Sequence, residues 1–289
     1  MTNELSLPAN FSLEKYMEHL RQEERSTNTI EKYARDLKAF IAFLAGSTLD
    51  KSAVLRWKDY LTGKYSPASV NSMLAAVNGF LEWIGLTECK VKPIKIQREI
   101  FAKPEKELTR DEYIRLIKAA EREQNLRLSL LIQTICATGI RVSELRYITA
   151  EALQNCRAVV DCKGKTRTVF LPVALCRILS RYCRKQKIKH GVIFRTRSGK
   201  PIDRTNIWRD MKSLCISAGV EPSKVFPHNL RHLFARTYYR LEKDLSRLAD
   251  LLGHTNINTT RIYTMESGHE HVKQLNHLGL LLEGTKKTT

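Results

Sequence analysis

Between Phe11 and about Leu86 the apolar residues return at every third or fourth position, so this stretch can bury a continuous stripe only as helices. In STNTIEKYARDLKAFIAFL the side chains of Ile30, Tyr33, Leu37, Phe40, Ile41 and Leu44 share one face, and Ser26, Thr27 or Asn28 stands ready as the cap. Asp50 opens a further helix that ends near Gly63, and Pro67 suits the first turn of another in SPASVNSMLAAVNGFLEWIG. The expectation is a compact helical bundle. After it, VKPIKIQREIFAKPEKE loses the period, carries Pro93 and Pro104 and is dense in charge, which is the composition of a linker. Thr109 and Glu112 then offer a capping box for a second helical region.

One place alone reads as strand. RAVVDC and RTVFLP are β-prone runs on either side of KGKT, a hairpin inside an α-rich domain. Helical patterns resume after Pro172, broken at HGVIF and near Gly199 and Gly219. The expected fold is therefore mostly α with a small β-hairpin: a helical domain over 1–90, a linker over 91–106, and an α-rich domain over 107–289 with a tail helix from about 271.

Charge indicates the partner. Forty-nine Lys and Arg against thirty Asp and Glu leave a formal charge of +19, and the pI is near 9.7. A surplus spread along the whole chain favours a polyanion, with nucleic acid first among them. The seven cysteines form no C-x-x-C pair and are odd in number, which argues against a disulfide framework or a zinc site. No signal peptide or membrane-length apolar run is present, so a cytoplasmic protein is expected. H-E-x-x-H, P-loop and G-x-S-x-G motifs are absent, and neither a metal nor a cofactor is expected.

Without such groups, chemistry on a phosphodiester needs cations and a nucleophile from the chain itself. In ATGIRVSEL, Arg141 follows Gly139 and Glu144 lies one turn on, so the glutamate can hold the guanidinium toward an oxyanion. The same spacing also suits a helix-surface ion pair, and Arg146 fits that role better. HNLRHLFART supplies Arg231 with His228 one turn before it. Two arginines can neutralise both non-bridging oxygens of a phosphorus passing through five-coordination, and a histidine can add a hydrogen bond or carry a proton. The hairpin turn holds Lys163 and Lys165, either able to protonate a leaving alkoxide. Tyr263 stands nine positions after His254, and a tyrosine hydroxyl can attack phosphorus to give a covalent ester. Most of the ten tyrosines should be packing residues.

ATGIRVSEL, the K-G hairpin, HNLRHLFA, LGHTNINTT and IYT occur in an order and at spacings that closely resemble the tyrosine site-specific recombinases of the phage integrase family, and the likeness covers nearly the whole chain. The resemblance implies a SAM-like core-binding domain followed by a catalytic domain. It implies that Arg141 and Arg231 clamp the scissile phosphate, that His228 and His254 hydrogen-bond to it, that Glu144 supports the clamp, and that Tyr263 is the nucleophile. A hairpin lysine would be the general acid. Family pattern favours Lys163, while the altered loop length of CKGKTRTVFLP keeps Lys165 open. The resemblance further implies duplex DNA as substrate, a homotetramer on two sites, a four-way junction, accessory DNA-bending or excision factors, and integration or excision of a mobile element. It points to the two-domain type, nucleoid-associated when bound.

DNA contacts in the first domain are expected from Thr27, Thr29, Lys32 and Arg35 at one helix start and from Ser69, Asn71 and Ser72 at another. The tail stripe of Val272, Leu275, Leu278, Leu281 and Leu282 would pack on its own domain or, as the resemblance suggests, on a neighbouring protomer. Two other functions share parts of this pattern: relaxation of one duplex, as by a type IB topoisomerase, and DNA binding without chemistry.

Overall fold

The computed structural model describes residues 12–96, 104–162, 165–263, 272 and 275–278. Lys163, Gly164, Leu281 and Leu282 lie outside the described residues, and of Lys165 only the backbone is described. The chain divides into two units, Met1–Arg98 and Glu99–Thr289.

In the first unit four helices follow the apolar periodicity: α1 (Leu13–Gln22), α2 (Thr27–Leu44), α3 (Lys51–Thr62) and α4 (Pro67–Trp83). Ser26, Asp50 and Ser66 cap the last three, each side-chain oxygen accepting from a backbone N–H three residues on. Such a cap is worth about 1 kcal/mol. Leu37 and Phe40 of α2 are fully buried against Val70, Val77 and Phe80 of α4 and Leu61 of α3, in one continuous core. Burial of each large apolar side chain contributes roughly 1.5–3 kcal/mol.

The bundle reaches past the expected linker boundary. Asn78 and Asn71 grip the following extended chain by its backbone: Asn78 exchanges hydrogen bonds with Val91 at 2.8 and 3.1 Å, and Asn71 with Ile94 at 2.9 and 2.7 Å. Two side chains of α4 thus replace the absent helical ladder, and Val91 is buried.

The second unit opens with α5 (Arg110–Arg122), whose capping box pairs Thr109 with Glu112. Next come α6 (Leu126–Thr138), a 3-10 turn over Val142–Tyr147 and α7 (Ala150–Gln154). β1 (Arg157–Cys162) pairs antiparallel with β2 (Lys165–Phe170), in register from Arg157 opposite Phe170 to Cys162 opposite Lys165. The chain continues through α8 (Val173–Lys185), α9 (Arg204–Ala218), α10 (Pro227–Glu242), α11 (Leu245–Leu252) and α12 (Asn258–Arg261). The fold is mostly α with one two-stranded sheet among the described residues. α6 is buried on nearly every side, packing on α5, α8, α9 and α10, and so forms the post around which the site elements are hung. No described helix is long and apolar enough to cross a membrane. In the tail, the side chains of Val272, Leu275 and Leu278 are exposed.

Candidate active site

Arg231 is the largest fully buried side chain among the described residues, 1 % exposed, near the start of α10. Pro227 sets the first turn of that helix, so that positions 228, 231, 232 and 235 fall on one face, with Arg231 and Ala235 buried and His228 exposed at its open end. The guanidinium donates to the carbonyls of Gly139 and, at 2.7 Å, Leu252. These carbonyls end α6 and α11, where aligned peptide dipoles leave partial negative charge, so the cation sits at the C-termini of two helices at once. Its Nε is buried without a protein partner. Burial and the neighbouring Arg141 charge lower the Arg231 pKa to about 10, still charged at neutral pH.

Gly139 is fixed by geometry as well as by turn type. It lies at φ +62, and a Cβ there would meet the Phe234 ring at 2.4 Å. That close approach lets the chain turn out of α6 and present Arg141 at once. Arg141 Nη1 donates to Glu144 Oε1 at 2.9 Å, and its backbone N–H donates to Oε2 at 3.0 Å. Glu144 is 2 % exposed. Burial pushes its carboxyl up, but the Arg141 backbone hydrogen bond and the Arg167 charge more than offset this, so it stays ionised below the usual carboxylate range. The Arg141 guanidinium itself is 39 % exposed, open to a ligand. Arg146 instead stacks over Tyr147, 5.0 Å from the ring centroid, on the outer side.

Arg141, His228 and Arg231 line one cavity of about 400 Å³, joined there by Arg204 and Trp208 of α9. On the other side of Arg231 lie His254 and Tyr263. His254 Nε2 is 3.0 Å from Arg231 Nη2. A guanidinium can only donate, so Nε2 accepts and the imidazole proton resides on Nδ1, which donates to Thr260 Oγ1 at 2.9 Å. Thr260 is fully buried, and its carbonyl accepts the Tyr263 N–H at 3.0 Å. One threonine therefore sets both the tautomer of the histidine and the turn that carries the tyrosine. Tyr263 is 3 % exposed and packs with Ala235, Leu248 and Leu252, close enough to Arg231 to favour the charged form of the guanidinium.

His232 was not singled out by the sequence reading, although it falls on the inward face of α10. Its ring stands edge-on to both His228 and Tyr263, with centroids 4.5 and 4.8 Å away, and its Nε2 is buried without a partner. Arg167 of β2 was also missed; it donates to Glu144 Oε2 at 2.6 Å. A charged residue on the strand face shared with buried Val169 and Leu171 was the readable signal. Arg204 gave none, being one exposed arginine among many.

Burial and nearby arginines hold the histidines neutral: His228 falls below its ordinary value, and His232 and His254 are pushed down to about 4. Between pH 6.5 and about 4 the unfolded chain therefore binds protons that the folded one refuses, so stability is full above this window and declines as pH falls through it. Thermal melts at constant ionic strength should show this decline, and His232→Asn should make it shallower. An unchanged slope in that variant would remove His232 from the linkage.

In the first unit Lys32 spans α2 and α4, bonding Asp36 and, at 3.1 Å, the Ser72 carbonyl. This brings the starts of both helices side by side, with Thr27, Arg35, Ser69 and Ser72 exposed and the Thr29 hydroxyl turned to Ser26 at 2.8 Å. Both ends of the Asn71 amide hold the Ile94 backbone, so this side chain also serves the bundle.

Comparison with known proteins gives matches along both units. The phage integrase family matches residues 106–270, and the phage integrase N-terminal SAM-like domain matches residues 13–85. Tyrosine recombinase XerA of Pyrococcus furiosus is 29 % identical over 281 residues, covering 94 % of each chain. Tyrosine recombinase XerD of Listeria innocua is 26 % identical, covering 83 % of this chain and 88 % of that one. Among solved structures, a lambda integrase tetramer bound to a Holliday junction shares the fold with a TM-score of 0.72 at 18 % identity, covering 90 % of this chain and 78 % of that one. XerH bound to a palindromic difH substrate does so with 0.69 at 23 %, covering 92 % and 82 %.

Proposed function

The chain belongs to the phage integrase family, and from that premise we propose that it is a site-specific DNA recombinase that cuts and rejoins duplex DNA through a 3′-phosphotyrosyl intermediate. The observation that carries this reading is the gathering of Arg141, His228, His254 and Tyr263 around the buried Arg231. The two guanidinium groups take the non-bridging oxygens of the scissile phosphate, with Glu144 bracing the first and two helix ends bracing the second. His228 adds a hydrogen bond to the phosphate, and His254 does so once its Nε2, which accepts from Arg231 in the free chain, has taken up a proton. The Tyr263 oxygen attacks phosphorus while the bond to the 5′-oxygen breaks, and the tyrosine proton passes to a nearby neutral imidazole or water. One phosphoester forms for each that is lost, so the reverse step reseals the strand without an external energy source.

Lys163 is our choice for the acid that protonates the leaving 5′-oxygen, with Lys165 as the alternative. A 5′-phosphorothiolate leaves without a proton, so it should restore cleavage by Lys163→Ala. Restoration of Lys165→Ala alone would move the role there. The first unit contacts DNA through Thr27, Thr29, Lys32, Arg35, Ser69, Asn71 and Ser72. Four protomers assemble on two sites and exchange strands through a four-way junction, in the cytoplasm and on the nucleoid. The exposed Val272, Leu275 and Leu278 support docking of the tail on a neighbour. Truncation before Leu275 should spare half-site binding and reduce cooperativity on a full site in gel-shift titrations; unchanged cooperativity would refute that docking.

Relaxation of a single duplex is not favoured, because the matches cover the SAM-like unit as well as the catalytic one. The biological setting we propose is integration and excision of a mobile element, aided by accessory DNA-bending or excision factors. Short direct repeats bounding the DNA beside the gene would support it, and their absence would oppose it. The chemical test uses a duplex selected by the protein from a random-sequence pool and nicked beside the cleavage point. A stable adduct mapping to Tyr263 is expected, and no adduct would overturn the reading.

A further inference from the structure

Arg167 lies on β2 opposite Val160, on the face that Val169 buries against the core, and its side chain is 15 % exposed. A charge on an apolar face persists only where most of its donors are satisfied, and of the Arg167 guanidinium Nε alone is buried without a partner. Here Nη2 donates to Glu144 Oε2 at 2.6 Å and Nη1 to the Leu251 carbonyl at 2.8 Å. Leu251 lies in the last turn of α11, three residues before His254. Between them Gly253 adopts φ +64, and a Cβ there would meet Arg167 Cδ at 2.3 Å and Nε at 2.8 Å. The arginine therefore passes directly over the turn that delivers His254, while its fork reaches the carboxylate that orients Arg141.

The charges at this place favour a second consequence. Glu144 faces two guanidinium groups, from Arg141 and Arg167, and Arg231 adds a third cation beside neutral histidines. The carboxylate is thus neutralised without drawing the whole charge of Arg141 away from a ligand. A phosphodiester carries one negative charge and its five-coordinate transition state two, so the cation that Arg167 releases from Glu144 is felt most in the transition state.

We propose that Arg167 is a positioning residue of the cleavage reaction, holding Arg141 through Glu144 and the His254 turn through Leu251 so that both face one phosphate. This rests on the recombinase reading above. The Arg167 side chain is only 15 % exposed and both its terminal nitrogens are turned to protein acceptors, so it acts through these neighbours.

The test compares the full chain with Arg167→Gln and Arg167→Lys on the nicked selected duplex. One version has an ordinary scissile phosphodiester. The other has a methylphosphonate there, whose methyl group replaces a charged oxygen, so that its ground state is neutral and its five-coordinate state carries one negative charge in place of two. Arg167→Gln should bind within about threefold of the parent and cleave the phosphodiester at least ~10-fold more slowly, the scale of one charged hydrogen bond. With the methylphosphonate most of that deficit should disappear. Arg167→Lys, which keeps the charge and loses the fork, should fall between. An equal deficit on both substrates would reduce Arg167 to fold support and overturn the proposal, as would parental cleavage of the phosphodiester by Arg167→Gln. A parent that forms no adduct on the phosphodiester would instead overturn the recombinase reading, and this inference with it.

Discussion

Tyr263→Phe is expected to bind DNA as the parent does and to form no covalent adduct. The substitution removes one oxygen and leaves the ring, which is what the fold uses: Tyr263 is 3 % exposed, stands edge-on to His232 and packs with Ala235, Leu248 and Leu252. The hydroxyl does not hold the turn in place. That turn is set by the Tyr263 N–H on the Thr260 carbonyl, which phenylalanine keeps. Loss of the nucleophile should therefore abolish cleavage below detection while the melting temperature and half-site affinity stay close to parental. Gel shifts and denaturing gels of the nicked duplex read both. A residual adduct on another residue would assign the nucleophile elsewhere.

Arg231→Ala should slow cleavage by roughly a hundredfold or more, the usual cost of losing a preorganised donor to a developing oxyanion. It should also destabilise the second unit, because the Gly139 and Leu252 carbonyls lose their partner in a buried place. Each such orphaned group costs about 1–3 kcal/mol, so a fall of several degrees in melting temperature is expected. Arg141→Ala separates the two effects. Its side chain is 39 % exposed, so cleavage should fall on a similar scale with a smaller change in melting temperature. Single-turnover cleavage and calorimetry of both variants decide it. Near-parental cleavage by either would remove that arginine from the clamp, and equal destabilisation would refute the division of labour between them.

Periodicity and capping residues carried the helical parts of the fold into view because they are local: Ser26, Asp50 and the Thr109–Glu112 box each act within one turn. The hairpin was legible for the same reason, its two β-prone runs lying on either side of a glycine turn. The grip of Asn71 and Asn78 on the chain at 91–94 was not, since a side-chain clamp on extended backbone leaves no period. Candidate site residues stood out where motif order placed them. Arg167 and His232 escaped because their roles come from partners 23 and 31 positions away in the chain, Glu144 and Tyr263. The tautomer of His254 likewise depends on Thr260 and Arg231 together.

The seat of Arg231 at the ends of α6 and α11 has an evolutionary corollary. A descendant could abandon recombination and survive as a DNA-bound scaffold by losing the Tyr263 hydroxyl or the open Arg141 side chain, because neither holds the interior as the Tyr263 ring does. It could not as readily lose Arg231, since that would unpin two helix ends from α10. Lineages drifting away from the chemistry should therefore discard the nucleophile first and keep the buried arginine as a relic of the reaction it once served.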